Sequence, residues 1–469
     1  MDPNLDNRNI LKVINEFEAS YDLSSIKANN FNIWPIVRIA ICFGLISKRY
    51  SGDTFLKQKK SKKSAFASFI AYRSFLSMNK QEINIQTLDV THDIYLYKIN
   101  EIFFDRVHFE SKIEKNDDYL KKRFNLADFT LRDKTHNKVE MDFFQAVRLY
   151  KLLSLPYTLL VILKNIEILK HLLNLHVFFR SKSINSISIL IKIPFKVSYA
   201  ILLSKFGKFF FKRSTVKFLR HANYYSLESM ALTLAARECG IKVSHVQHGS
   251  QSDDHPAFGK WNNISSQGYD LLPEVFECWD QQSMEVIKRS FGSHAHHYAN
   301  LNGYKWVDAW KKGEIPFNTN ELKMFAKNKF NILITLQPSI NGVQDFVKDC
   351  INESSDNIRW WIRLHPRQLT DVAINEITKT FKNKIKSEAV IVNLASTSPL
   401  PSILSVTDLH ITAFSSSIFE ASYFDIPTII THKMGLDYYG SDLDSLNGSF
   451  CNNSTCIKKK IEDGVNSKF

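Results

Sequence analysis

The chain has 469 residues, 44% of them apolar and 23% charged, with only 15 Gly and 12 Pro. That length suits two domains, and the balance excludes a disordered, collagenous or coiled-coil chain. A net charge of +14 calls for a phosphate-bearing partner: nucleotide, nucleic acid or anionic lipid.

Residues 1–80 read as a helical N-terminal extension, interrupted at Trp34-Pro35 inside FNIWPIVRIAICFGL, with KQKKSKKS near Lys57 as an exposed loop. The opening MDPNLDNRNI carries acids and no apolar core, so no secretory signal is expected. INIQTLDV and DIYLYKI have the β-branched and aromatic pattern of short strands. They open a Rossmann-like domain expected over residues 81–310. Residues 115–150 are charged and show no clear period.

From Lys151 to Arg220, thirteen Lys and Arg stand against one acid, Glu167, so the segment holds +12 of the net charge. On a helix Lys205, Lys208 and Lys212 share a face, among Phe206, Phe209, Phe210 and Phe211. Cations beside such rings suit an anionic membrane surface, with the rings entering the acyl boundary. A buried helix pair with a solvated basic rim gives the same pattern. No helix-turn-helix, zinc-finger or RNP motif accompanies the charge, so nucleic acid is not the expected partner. The best candidate for a spanning helix, Leu152 to Leu163, is twelve residues long and contains Pro156; about 20 are needed. The six cysteines (Cys42, Cys239, Cys278, Cys350, Cys451, Cys456) lack CxxC spacing. No disulfide framework or zinc signature is expected, and a reducing cytosol is.

LESMALTLAAREC (Leu227 to Cys239) reads as a helix stopped by Gly240, and Ile241 to Gln247 as a strand running into His248-Gly249-Ser250. This is the αβ unit of a doubly wound sheet, where ligands bind beyond the carboxyl ends of strands. PEVFECW and HHYANLNGY suggest two more strands, and polar residues 311–327 a connector. A second series then starts. FNILITLQ, IRWWIRLHP, AVIVNLAS, DLHITAFSSS and PTIITHK read as strands, VQDFVKDCINES and SIFEASYFD as helices. Strands alternating with helices mean a parallel sheet, and a second Rossmann-like domain over 325–469.

Three segments carry candidate chemistry. In HVQHG, His245, Gln247, His248 and Gly249 close a strand with polar groups and a close-approach glycine, which suits sugar hydroxyls or a diphosphate. The following Asp253, Asp254 and His255 offer a carboxylate base. Arg363, His365, Pro366 and Arg367 beyond a strand end make a phosphate corner. Ser415, Ser416 and Ser417 lie just before Glu420, where hydroxyls and N–H groups at a helix start bind phosphate. A plain N-cap, with Glu420 closing the turn, fits them as well. His294, His296 and His297 of SHAHHY cannot converge on a metal from a helix or a strand. The chain has no GxxxxGK[ST], GxGxxG or G-x-S-x-G element, which argues against nucleotide hydrolysis, nicotinamide chemistry and acyl hydrolysis.

HVQHG, then LHP, then a Ser cluster with Glu, in this order and spacing over residues 224–435, resembles bacterial surface-polysaccharide glycosyltransferases. The likeness is to capsule and lipopolysaccharide enzymes of the Kdo-transferase and sialyltransferase type, in which HP and Ser-Ser motifs serve a CMP-linked donor. DLHITAFSSSIFEASYFDIPTII is its strongest piece, with Asp425 where such families usually have Gly. The first 220 residues carry no such resemblance. It implies an α/β GT-B fold: two Rossmann-like domains facing a cleft, here with the helical N-terminal extension. It also implies that His365 and Ser415–Ser417 hold the donor phosphate, with Glu420 near the nucleotide ribose and His248 and Gln247 facing the cleft. Transfer to a lipid-linked glycan acceptor at the inner membrane would follow, with a nucleotide-sugar as co-substrate and no metal or other cofactor. Asp253 and Asp254 are the first candidates for the base, with His248 behind them. A UDP- or GDP-hexose donor, a CDP-alcohol donor and a non-catalytic nucleotide- or glycan-binding protein are the alternatives.

Overall fold

The computed structural model describes residues 7–49, 87–91, 96–99, 102–107, 123–125, 154, 156–292, 296–337, 340, 342–369, 371–440 and 442–469. The expectations for KQKKSKKS and for most of 115–150 fall outside these residues. The chain divides into two compact units, the first ending at Tyr304 and the second containing Lys305–Phe469.

The first unit opens with α1 (Asn7–Ser20), a hairpin of β1 (Lys27–Ala28) and β2 (Phe31–Asn32), and α2 (Trp34–Arg49). Trp34-Pro35 does not interrupt a helix. It starts one, because proline lacks only an N–H that the first turn leaves unused; the Trp34 N–H donates to Asn32 Oδ1 at 2.8 Å. Both helices are knitted into the unit. Arg38 and Glu18 form a fully buried ion pair at 2.9 Å. Arg38 also donates to the Pro256 and Lys260 carbonyls, at 2.7 Å each, and Glu18 Oε2 accepts from Asn262 N at 2.8 Å.

The unit's sheet strands are β3 (Thr87–Thr91), β6 (Arg123–Asn125), β7 (Phe218–His221), β8 (Lys242–Val246), β9 (Val275–Cys278) and β10 (Tyr298–Leu301), while β4 (Leu96–Ile99) and β5 (Ile102–Asp105) lie between β3 and β6 in the chain. Its further helices are α3 (Glu167–Ser181), α4 (Ile187–Leu190), α5 (Ile193–Phe211), α6 (Leu227–Glu238) and α7 (Gln281–Phe291). β4 and β5 pair separately; the other six form one sheet in the order β10-β9-β8-β7-β3-β6, every neighbour parallel. Its direction of winding reverses between β3 and β7. As expected, α6 is followed by Gly240, here at φ +71°, a conformation that favours glycine.

The basic, Phe-rich α5 belongs to the core. Phe206, Phe210 and Phe211 are 4–5% exposed, and α5 lies so close to α6 that a Cβ on Gly207 would meet Ala235 Cβ at 3.0 Å. Lys208 pairs with Glu238 at 3.0 Å. The buried-helix-pair pattern therefore applies here, and these rings do not enter an acyl boundary. Among the described residues one helical stretch, Ile187–Phe211, is long and apolar enough to cross a membrane, but 61% of its most apolar window is buried inside the protein.

The second unit begins with α8 (Lys305–Lys311) and α9 (Asn320–Ala326), where a plain connector was expected over 311–327. Its strands are β11 (Phe330–Thr335), β12 (Ile358–Arg363), β13 (Val390–Ile391), β14 (Leu409–Thr412), β15 (Thr428–Ile430) and β16 (Gly448–Phe450). Its remaining helices are α10 (Asp345–Glu353), α11 (Asp371–Thr380), α12 (Lys382–Lys386), α13 (Asn393–Thr397), α14 (Leu400–Leu404), α15 (Ser417–Tyr423), α16 (Lys433–Tyr439) and α17 (Ser454–Lys468). All six strands are parallel, in the order β13-β12-β11-β14-β15-β16. Counted in chain order this is 3-2-1-4-5-6, the Rossmann order. Both faces are covered, which is why FNILIT and IRWWIR are buried at every position. Trp360 joins one core layer and Trp361 the opposite one.

Three local readings change. AVIVNLAS supplies only a two-residue strand before α13 folds back, where Ser396 Oγ accepts from Leu364 N at 3.1 Å. Cys451 and Cys456, expected to be unpaired, form a disulfide closing the turn between β16 and α17. Asp425 sits at φ +60°, and beside it Ile426 N donates to Ala421 O at 3.0 Å. This is a left-handed helix stop, a conformation that favours glycine.

Candidate functional site

In the second unit the winding direction reverses between β11 and β14, and the loops after β11, β12 and β14 gather at that point. Open α/β sheets bind ligands in the crevice outside the strand ends at such a reversal. The loops are tied together by polar side chains. Gln368 accepts from His365 N at 3.2 Å through Oε1 and donates to Gln337 O at 3.1 Å through Nε2, joining the β12 turn to the β11 loop. Thr335 Oγ1, at the end of β11, lies 3.0 Å from Ser417 Oγ and 2.9 Å from His410 Nε2. His410 Nδ1 is 3.0 Å from Thr428 Oγ1, so one buried imidazole links β11, β14, β15 and the start of α15. Burial pushes the His410 pKa down to about 3, which keeps the ring neutral.

This geometry divides the expected donor residues into two groups. His365 is half-buried and opens the turn Pro366–Gln368; nothing is described of the Arg367 side chain. Ser415 and Ser416 are half-buried as well, and Ser415 Oγ accepts from Ser417 N at 3.2 Å. Among the described residues the Ser416 hydroxyl is not engaged. The other group is structural. Arg363 was expected at the phosphate, but the residue is 7% exposed and its guanidinium donates to the Ala395 and Ser398 carbonyls at 2.6 Å each. Ser417 is fixed by Thr335 and His410, and Glu420 is 1% exposed within α15. The Ile418 and Phe419 N–H groups bond back to Ser415 and Ser416 carbonyls, so the first turn is closed on itself.

In the first unit the HVQHG segment does end a strand, but most of its side chains build the loop. His245 is fully buried among the Tyr224, Phe258 and Phe276 rings, 5.3–5.9 Å away. Gln247 is fully buried too: Nε2 donates to Gly249 O and Ser283 Oγ, and Oε1 accepts from Trp279 N at 2.7 Å. Gly249 is buried. Asp253 pairs with Arg289 at 2.7 Å, and the buried Asp254 pairs with Arg8 at 2.9 Å, so both expected bases already serve as arginine partners. His255 Nδ1 accepts from Ala257 N at 3.1 Å, and burial pushes its pKa down to about 3. His248 is half-buried beside Tyr225, ring centroids 6.3 Å apart. His297, part of the SHAHHY motif, receives Tyr269 N at Nε2 and meets Pro273 O at Nδ1, both at 2.8 Å, a hydrogen-bonding role. No group of three His, Cys, Asp or Glu among the described residues could hold a metal ion.

Sequence reading missed an exposed apolar stripe. Along helical residues 156–164, the turn at 165–166 and α3, Leu159, Leu163, Ile166, Leu169, Leu173 and Val177 are 42–65% exposed and recur every three or four residues. Exposed Lys164, Lys170 and Arg180 accompany them.

No protein-family model and no curated protein sequence matches the chain. Among solved structures it is similar to a Listeria monocytogenes protein assigned as a UDP-N-acetylglucosamine 2-epimerase: 13% identity, 58% of this chain and 72% of that one, TM-score 0.43. It is also similar to the UDP-GlcNAc 2-epimerase of Methanocaldococcus jannaschii, 14% identical over 57% of this chain and 74% of that one, TM-score 0.39. A variant of the wall teichoic acid polymerase TagF is 10% identical over 53% and 66%, TM-score 0.35. Scores of this size fix no activity.

Proposed function

We propose that the chain is a glycosyltransferase of bacterial surface-polysaccharide assembly, transferring a sugar from a CMP-linked donor of Kdo or sialic type to a lipid-linked glycan. The observation that carries this reading is the placement of half-buried His365, Ser415 and Ser416 beyond the ends of β12 and β14, the strands on either side of β11 at the reversal of a Rossmann-order sheet. That edge of the second unit would take the nucleotide, His365 and Ser416 donating to the phosphate. With Asp253 and Asp254 engaged by arginines, His248 becomes the preferred base. It takes the proton of the acceptor hydroxyl as the new C–O bond forms at the anomeric carbon. The sugar–phosphate bond breaks, and CMP leaves with the electron pair, its charge met by hydrogen bonds rather than a metal ion.

Ligand-observed NMR with CMP, UDP, GDP and dTDP tests the donor assignment. CMP contact is expected to be selective and to weaken about tenfold in His365→Ala, the worth of one phosphate hydrogen bond. A UDP or GDP preference would reassign the donor to a hexose diphosphate. Binding of none would remove the phosphate edge altogether.

A cytoplasmic place on the anionic inner face of the membrane goes with this acceptor, and the stripe of α3 supports it better than α5 does. Its aliphatic side chains would enter the acyl boundary while Lys164, Lys170 and Arg180 meet headgroups. In flotation with vesicles containing about a third anionic lipid, Leu163→Asp/Leu173→Asp is expected to lower the bound fraction more than tenfold, since each leucine contributes about 1.5–3 kcal/mol on burial. An unchanged bound fraction would take the stripe out of the membrane contact.

A further inference from the structure

In the first unit α2, α4 and the start of α6 line a groove of about 360 Å3, within the range of small-molecule sites. Its walls are apolar: Ala40 and Phe43 of α2, Ile189 of α4 and Met230 of α6. Gly44 allows the close approach that forms it, since a Cβ there would stand 2.8 Å from Ile189 Cδ1. Lys192 and Lys196, one turn apart, add two cations to this lining. Tyr225 completes it; the same ring stacks on Phe43 with centroids 5.6 Å apart and lies 6.3 Å from the His248 ring. On the outer side of α4, Ile187 and Ile191 are 46% and 67% exposed. The groove thus combines apolar walls from Ala40 to Met230 with two ammonium-bearing side chains.

We propose that this groove is a lipid-phosphate site, taking the first part of an alkyl or isoprenoid chain against Ala40, Phe43, Ile189 and Met230 and its phosphate at Lys192 and Lys196. Apolar walls alone would accept any hydrocarbon, and the paired lysines select a chain that ends in phosphate. The inference deepens the proposed function, resting on it only for the identity of the lipid as acceptor.

The test is titration of the full chain with monomeric decyl phosphate, decanol and inorganic phosphate, without nucleotide. Decyl phosphate is expected to bind at least tenfold more tightly than decanol, and inorganic phosphate alone not measurably. Ala40→Trp, which fills the groove, is expected to abolish decyl phosphate binding. Lys192→Gln/Lys196→Gln removes the charge of the exposed Lys192 and the half-buried Lys196 while keeping side chains of similar length, a smaller change than Ala40→Trp. It is expected to weaken decyl phosphate about tenfold and leave decanol unchanged. The proposal is overturned if wild-type protein does not bind decyl phosphate, if decanol binds equally well, or if correctly folded Ala40→Trp binds like wild type. Nucleotide binding by the same preparations is read separately, so loss of CMP binding would count against the donor assignment and not against the groove.

Discussion

Arg38→Met is expected to lower the unfolding free energy of the first unit by about 3–5 kcal/mol, the usual cost of leaving a buried charge without its partner. Glu18 would keep its hydrogen bonds from Trp34 Nε1 and Asn262 N, both 2.8 Å, but lose the guanidinium. Burial already pushes the Glu18 carboxyl above its ordinary range, with Arg38 pulling it down; without Arg38 it would take up a proton more readily still. The Pro256 and Lys260 carbonyls would lose their donor, and Trp261 the cation 4.1 Å above its ring. The double variant Arg38→Met/Glu18→Met should recover much of the loss, because it removes both desolvated charges together. Denaturant titration followed by tryptophan fluorescence measures both. A single variant within 1 kcal/mol of wild type would mean that this pair does not anchor the N-terminal helices.

The second large effect is on pH. Between pH 7 and pH 5 each unit is expected to lose on the order of 2 kcal/mol through one histidine, His255 in the first and His410 in the second. Burial holds both folded imidazoles at a pKa of about 3, so they stay neutral over this range. The unfolded rings take up protons from about pH 6.5 downward. Protonation therefore favours the unfolded state: the contribution to stability is whole above pH 6.5, shrinks below it and is gone near pH 3. The hydrogen-bond partners of His410 are the hydroxyls of Thr335, Ser417 and Thr428, and none of these compensates an imidazolium charge. In His410→Gln the second unit's stability should fall less steeply between pH 7 and pH 5, whatever the cost of the substitution at pH 7. An unchanged slope would assign the acid sensitivity to other groups.

The alternating fold was legible because its signals are local. Apolar runs such as FNILIT and IRWWIR announce strands covered on both faces, and Gly240 marks a helix end. The HP turn and the Ser cluster fell correctly at strand ends. Their partners did not show, because hydrogen bonding across a sheet joins residues far apart in sequence. Nothing local reveals that Arg363 reaches Ala395 and Ser398, that Asp254 answers Arg8, or that His410 inside DLHIT couples Thr335 to Ser417. The basic segment misled for a related reason. Phe206 on α5 and Leu173 on α3 belong to equally apolar and basic stretches, and only packing against α6 decides which is covered. Asp425 was legible as a departure from a pattern, and its positive φ supplies the reason.

The bonds that hold α1 and α2 also set an order of events during synthesis. Arg8 meets Asp254, and Glu18 meets Asn262, across 246 and 244 residues. At about 5–20 residues per second, a ribosome needs roughly 12–50 s to deliver those partners after the first helix emerges. Through that interval Trp34, Ile36 and Val37, each no more than 2% exposed in the finished fold, have no completed core to enter. The helices α1 and α2 are thus secured only well after they are made, and until then their apolar faces need shielding of the kind a chaperone gives.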